Sequence, residues 1–296
     1  MKLAIFQIFC RVVEEGSITQ AAKTAYMSQP TVTKQIHNLE NHYNIKLFDR
    51  INGKIKLTKV GEIFYQHAKE ILAVERHAIE SMQREQQKSS ETLYIGASPT
   101  IADYMLPSMI QKFKQQYTSV NFNVMMSNTP SIIDALEHHV IDIGLVESDI
   151  SETHVEKKSF FSDKLTLVVP NTHPWKYRQE IKLEDMVGEK MLWRESESGT
   201  RLLIESILSK KNILHTMGDT IEFSSVQAIK NAVESGLGIS ILSELSIQKE
   251  LEYNTLHQVA IQDIHMIRDF WIVQKKRYFQ KEVAVQFEHF LMKNIK

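Results

Sequence analysis

Ser28-Gln29-Pro30-Thr31-Val32-Thr33-Lys34-Gln35-Ile36 is the stretch that decides how the chain reads. Ser28 is a good helix N-cap, and Pro30 falls in the first turn, where its missing N–H costs nothing. Val32, Ile36 and Leu39 recur at helical spacing and define a buried stripe. The other face carries Gln29, Thr31, Thr33, Lys34, Gln35 and Asn38: amides and hydroxyls that suit base edges, and a cation that suits phosphate. Toward the N-terminus, Leu3, Phe6, Phe9, Cys10 and Val13 mark a helix that stops at Glu15-Gly16. Ser17 then caps a short helix from Ile18 to about Ala25, whose Ala21, Ala22 and Ala25 permit close packing. Toward the C-terminus, Asn52-Gly53 joins two short segments rich in apolar and basic residues. That pair favours a type I′ turn, which needs positive φ at both central positions. Residues 1–58 therefore read as a helical head with a hairpin wing that carries Arg50, Lys54 and Lys56 to a DNA backbone.

The charge distribution agrees. The 296 residues carry 35 Lys+Arg and 36 Asp+Glu, a net charge of −1. Residues 1–60 contain nine basic side chains (Lys2, Arg11, Lys23, Lys34, Lys46, Arg50, Lys54, Lys56, Lys59) and four acidic ones (Glu14, Glu15, Glu40, Asp49), a net +5. The remainder holds −6. A basic module fused to an acidic body points to a polyanion partner for the first part.

Ala21-Ala22, the Ser28–Ile36 run, Leu39-Glu40, Leu47-Phe48-Asp49-Arg50, Leu57-Thr58 and Gly61 resemble the N-terminal signature of LysR-type transcriptional regulators, over about the first 65 residues without a gap. Two positions depart from that pattern: Thr33 stands where the family usually has Ser, and Gly53 where a wing Arg is common. The resemblance implies an all-α winged helix-turn-helix N-terminal domain, a long linker helix, and an α/β two-lobed effector domain of the periplasmic-binding-protein type 2 class. It also implies double-stranded promoter DNA as a partner, a homotetramer, and contact with RNA polymerase if the protein activates.

From Lys59 to about Gln87 no proline intervenes, and Gly61 lies in the first turn. Phe64, Ala68, Ile71, Glu75, Ala78 and Met82 follow a heptad-like spacing with one charged interruption. At ~1.5 Å per residue this is a rod of roughly 43 Å, long for a helix lying on one small domain. Residues 59–89 are read as a linker that pairs with its copy in a homodimer, with a hinge near Gln83 to Glu91.

Beyond it, residues 90–296 alternate short apolar strands with amphipathic helices, the pattern of a mainly parallel sheet. Strands are expected at 92–97, 120–124, 141–146, 164–169 and 270–273. The family architecture implies lobe I at 90–161 and 269–296 and lobe II at 162–268, with ligand bound between them. Ser98 and Thr100, between a strand and a helix, offer hydroxyls and free backbone N–H groups for an anion. In Arg194-Glu195-Ser196-Glu197-Ser198-Gly199-Thr200-Arg201, the Ser198, Gly199 and Thr200 groups suit a ligand oxygen, and Arg194 or Arg201 supplies charge; plain helix capping is the alternative. This segment resembles one in the subgroup that includes CysL, YeiE and CbbR, with Glu195 matching and Glu197 replacing a glycine. Ser127, Asn128, Thr129 and Ser224 are further cleft candidates. The resemblance implies a small anionic effector, with sulfite or a related sulfur metabolite first and a small carboxylate next.

Other classes lose ground on the same residues. A single cysteine, Cys10, forms no intramolecular disulfide, and no apolar run approaches ~18 residues, so a bacterial cytoplasmic protein with no membrane span is expected. No Cys/His cluster has metal-ligand spacing, and nucleophile elbow, Walker A and dinucleotide fingerprints are missing, so neither a metal, a cofactor nor catalytic residues are expected. The rival function is a transport-type small-molecule binding protein, which the body alone would fit.

Overall fold

A computed structural model describes residues 3–51, 54–85, 91–147, 155–275 and 281–295. The chain divides into two compact units, residues 1–91 with 137–140, and residues 92–136 with 141–296.

The first unit opens with α1 (Ala4–Glu15), α2 (Ile18–Thr24) and α3 (Gln29–Tyr43), followed by a hairpin of β1 (Phe48–Ile51) and β2 (Lys54–Leu57) and the long α4 (Lys59–Glu85). Its ends are set by the residues that sequence logic assigns. Gly16 ends α1 in the left-handed conformation, at φ 59°. The Ser17 hydroxyl accepts from the Gln20 N–H at 3.3 Å, and Ser28 from the Thr31 N–H at 3.3 Å. The wing adds the expected two-stranded ribbon to the helical head: β1 and β2 pair antiparallel from Phe48–Leu57 to Ile51–Lys54. The Asn52-Gly53 turn lies outside the described residues. Phe9, Val32, Leu39 and Leu47 are fully buried in the core, and the Phe9 ring lies 5.3 Å from Phe48 and 5.1 Å from Phe64.

The α4 seam differs from the expected one. Phe64 and Ala68 pack into the core of the head, together with Tyr65 and Leu72. With 3.6 residues per turn, the row that remains exposed keeps Ile71, Ala78 and Met82 of the expected seam and takes in Ile63 and Val74 in place of Phe64, Ala68 and Glu75. It runs through Ile63, Ile71, Val74, Ala78 and Met82, with Val74 56% and Met82 59% exposed. The anticipated hinge falls mostly on residues 86–90, outside the described set.

In the second unit, β3 (Thr92–Ala97), a π-helical turn (Ile101–Met105), α5 (Leu106–Gln116), β4 (Asn121–Met126), α6 (Thr129–Glu137) and β5 (Ile143–Val146) come first. β6 (Val155–Pro170) then runs 16 residues, far longer than the strand read at 164–169. After β7 (Glu180–Ile181) come β8 (Met191–Arg194), α7 (Gly199–Lys210), β9 (Thr220–Phe223), α8 (Val226–Glu234), β10 (Ser240–Ser243) and α9 (Gln248–Glu252). The chain closes with β11 (Leu256–Ile261), β12 (Met266–Lys275) and α10 (Glu282–Asn294).

β3 pairs parallel with both β4 and β5, whereas β12 pairs antiparallel with β5 and β6. The extra length of β6 has a physical cause. It pairs with β12 from Val155–Lys275 to Leu165–Met266 and continues beside β10 and β11, so its two halves serve two cores. One core gathers Leu93, Ile95, Phe113, Phe270 and Phe287; the other gathers Leu167, Trp175, Trp193, Ile204 and Ile241. The architecture is α/β and two-lobed. The β6–β12 ribbon crosses between lobes where Ser162 faces Asp269 and Asp163 faces Arg268. Among the described residues no helix is long and apolar enough to cross a membrane.

Candidate functional site

Two sets of residues carry the chemistry, one in each unit.

In the head, the signature residues divide into builders and an open face. Glu40 Oε1 accepts the Leu47 N–H at 2.8 Å and the Phe48 N–H at 3.3 Å, fixing the start of the wing to α3. The Thr58 hydroxyl donates to the Lys46 carbonyl at 2.8 Å and accepts the Gly61 N–H at 2.9 Å, capping α4. A side chain at Gly61 would overlap the Leu47 carbonyl oxygen, so only glycine lets α4 approach the chain leading into the wing. Ala21 and Ala22 are buried where α2 meets its neighbours.

Ser28, Gln29, Pro30, Thr31 and Lys34 are exposed along α3, and Thr33 and Gln35 are half-buried beside them. The Ser28 and Thr31 hydroxyls lie 2.7 Å apart, so Ser28 is committed to its cap while Gln29, Thr33 and Lys34 face outward. Lys56 is exposed on β2; the side chains of Arg50 and Lys54 lie outside the described set. The array can present hydrogen-bonding groups and a cation to a groove.

Between the two lobes of the second unit, Ser98, Thr100 and Thr200 of the expected set surround a carboxylate that sequence reasoning passed over. Glu147, just after β5, receives the Ser98 hydroxyl at 2.8 Å and the Thr100 N–H at 3.2 Å on Oε1, and the Thr200 hydroxyl at 3.1 Å on Oε2. Arg268 also donates to Oε2. The same guanidinium donates to the Thr200 hydroxyl at 2.7 Å, the Thr100 hydroxyl at 3.4 Å, and Asp163 through Nε at 2.8 Å. Asp163 is further held by the Ser243 hydroxyl at 2.7 Å. The side chains of Glu147, Asp163 and Arg268 are 5%, 1% and 4% exposed, so the cluster is dry.

Burial acts first on both carboxyls and favours their neutral forms. For Glu147, the Arg268 charge and the hydrogen bonds from Thr100, Ser98 and Thr200 outweigh it, and the group is held below the usual carboxylate range. For Asp163, burial prevails over Arg268 and Ser243, and the group is pushed above that range.

The remaining candidates are placed as follows. Both arginines of the 194–201 segment are engaged by lobe II carboxylates. Arg194 pairs with Glu195 at 2.6 Å, and Arg201 with Glu205 at 2.7 Å and Glu222 at 2.6 Å. Ser198 is the N-cap of α7, but its side chain makes no capping hydrogen bond; Gly199 follows as the first helical residue. Asn128 caps α6, its Oδ1 accepting the Ser131 N–H at 3.1 Å, and reaches across the cleft to donate to Glu197 at 2.8 Å. Ser127 uses its N–H on the Ala97 carbonyl at 3.2 Å, and Thr129 opens α6. Ser224 is exposed, and its neighbour Ser225 caps α8. The structure thus brings Ser98, Thr100 and Thr200 together and leaves Ser127 and Ser224 outside the cluster.

Glu147, Asp163 and Arg268 were missed because each sits at a strand end or inside an apolar strand. Their juxtaposition depends on the pairing of β6 with β12. A signal did exist for Glu147, a charge directly after the apolar run Ile143–Val146.

Comparisons with known proteins agree with this layout. Residues 3–62 match the profile described as bacterial regulatory helix-turn-helix protein, lysR family, and residues 86–296 match the LysR substrate binding domain. The chain is 33% identical over 285 residues to a probable RuBisCO transcriptional regulator of Cyanidioschyzon merolae, covering 95% of this chain and 94% of that one. Full-length CbnR complexed with its target DNA shares the fold at a TM-score of 0.75, with 18% identity, over 98% of this chain and 99% of that one. The regulatory domain of Synechocystis PCC6803 CcmR in complex with 2-PG gives a TM-score of 0.64 at 22% identity, over 70% of this chain and 98% of that one.

Fold and site define a DNA-binding regulator with an effector-binding domain, a transcription factor and not an enzyme. The chain belongs to the LysR family of transcriptional regulators.

Proposed function

We propose that this regulator is controlled by a small carboxylate or comparable oxyanion bound between the two lobes of its effector domain. The observation that carries the reading is the cradle of Ser98, Thr100, Thr200 and Arg268, which already coordinates a carboxylate with four donor groups. The sulfite or sulfur-metabolite expectation finds no support among the relatives, which are named for RuBisCO regulation, while CcmR was captured with 2-PG. On this reading Gln29, Thr31, Thr33 and Gln35 address bases, whereas Lys34, Arg50, Lys54 and Lys56 address phosphates of promoter DNA in the bacterial cytoplasm.

Two chains pair through the exposed row Ile71, Val74, Ala78 and Met82 of α4, which holds two heads at a fixed spacing. Tetramer formation and contact with RNA polymerase extend the same reading. The test is selection of bound sequences from random duplex DNA, followed by a salt titration of the selected operator. Each phosphate contact contributes a slope of about −0.9 in log K against log salt. A metabolite that binds the 91–296 region and shifts operator affinity supports the reading; failure of every small carboxylate and oxyanion to do so overturns it.

A further inference from the structure

The cradle between the lobes contains its own anion. Glu147 occupies a position served by the loop after β3, the first turn of α7 and the middle of the β6–β12 ribbon, so one carboxylate joins groups from both lobes. A second carboxylate, Glu197 of lobe II, spans the cleft to Asn128 at 2.8 Å. Both of these carboxylates are supplied by the chain itself.

We propose that the Glu147 carboxylate is a tethered stand-in for the effector's anionic group, and that an effector binds by exchanging with it. The inference rests on the reading of this cleft as the effector site. Its charge arithmetic is specific. Among the described residues Arg268 is the cation that contacts both buried carboxyls, Glu147 and Asp163, and neutral hydroxyl donors complete the coordination of each. Replacing Glu147 by another anion leaves the charge of the cluster unchanged, and the displaced carboxylate regains its hydration. Exchange is therefore far cheaper than adding a third anion. The donor set also fixes what enters: a planar or tetrahedral oxyanion that accepts one guanidinium, hydroxyls and a backbone N–H.

Formate and acetate are the probes, with sodium chloride at matched ionic strength as the control, on the full chain and its Glu147→Ala and Glu147→Gln variants. The wild type is expected to bind formate only weakly, because the Glu147 carboxylate competes for the same donors. Glu147→Ala should melt lower and recover by about 2–4 °C at saturating formate, since a ligand held by the native state alone raises apparent stability. Glu147→Gln, which keeps the shape but not the charge, should gain at least about tenfold in calorimetric anion affinity over the wild type, about 1.4 kcal/mol. If either variant emerges unfolded, refolding is run with and without formate. Recovery only in formate supports the stand-in role.

No gain of anion affinity in either variant, or no recovery in formate, overturns it. Protection of selected operator DNA is recorded in the same samples. If formate fills the variant cradle and operator binding stays unchanged, the stand-in survives and the effector reading of the cleft fails.

Discussion

The polar face of α3 and the cradle between the lobes are made of similar side chains, yet they do opposite things with them. Gln29, Thr31 and Lys34 stand exposed, and their hydrogen-bonding capacity is spent mostly on water until a partner arrives. Ser98, Thr100, Thr200 and Arg268 are buried, and each is already spent on Glu147. Burial is what separates them. An exposed donor waits at little cost, whereas a buried donor without an acceptor costs about 1–3 kcal/mol, so a dry cradle must be filled from within when no ligand is present. The open face therefore leaves its groups available to an external partner, and the buried cradle couples two lobes through one small charge.

The strongest way to break this contrast is Arg268→Ala. It leaves Glu147 and Asp163 buried without a counter-charge and is expected to cost about 3–5 kcal/mol, read by urea unfolding of the full chain. A loss below about 1 kcal/mol would mean that water reaches the cluster and that the cradle resembles the open face after all.

Next comes Gly61→Ala. The added methyl must push α4 away from Leu47, an overpacking cost of about 1–3 kcal/mol, visible in the unfolding of the head and as weaker binding of every DNA sequence.

Substituting Gln29 or Thr33 by Ala sharpens the other side of the comparison. Each should reduce discrimination at one base pair by about 1–3 kcal/mol in competition binding while the melting curve stays in place. Unchanged affinity and preference in Gln29→Ala would show that the register of α3 in the groove is different.

The smallest effect belongs to Lys56→Ala, expected to weaken all sequences alike and to reduce the salt slope by about 0.9.

Cys10 offers a check on the integrity of the head during these measurements. Burial first, and then Glu14, push its thiol up to about 12 from the usual 9.0. Because the folded state keeps the proton longer than the unfolded state, this group's contribution to stability is whole below pH ~9 and is lost as pH rises toward 12. At neutral pH the thiol should react with a maleimide only at the rate of unfolding.

Much of the head was legible in the sequence because its determinants are local. Ser17 and Ser28 cap the helices that follow them, Gly16 ends α1, and the spacing of Val32, Ile36 and Leu39 states which face is buried. The long helix was legible as a helix but not as a surface. Phe64 and Ala68 fit a seam by spacing, and only the packing of α4 against α1 turned them inward. In the body, Ser98, Thr100 and Thr200 were visible because strand-to-helix junctions announce free N–H groups and hydroxyls. Their occupant was not. Glu147, Asp163 and Arg268 are separated by 16 and 105 residues, and no local rule connects them.

Local patterns along the chain specify a basic three-helix head with a wing, a long helix, an alternating α/β body and hydroxyl-bearing strand-to-helix junctions. Which hydroxyls are already engaged depends on the long-range packing of the sheet. Helix caps and periodicity act over three to seven residues, whereas the register of β6 on β12 places Asp163 opposite Arg268, and Arg268 beside Glu147. A buried charge must find its partner in space, and that requirement is satisfied only once the whole sheet has formed.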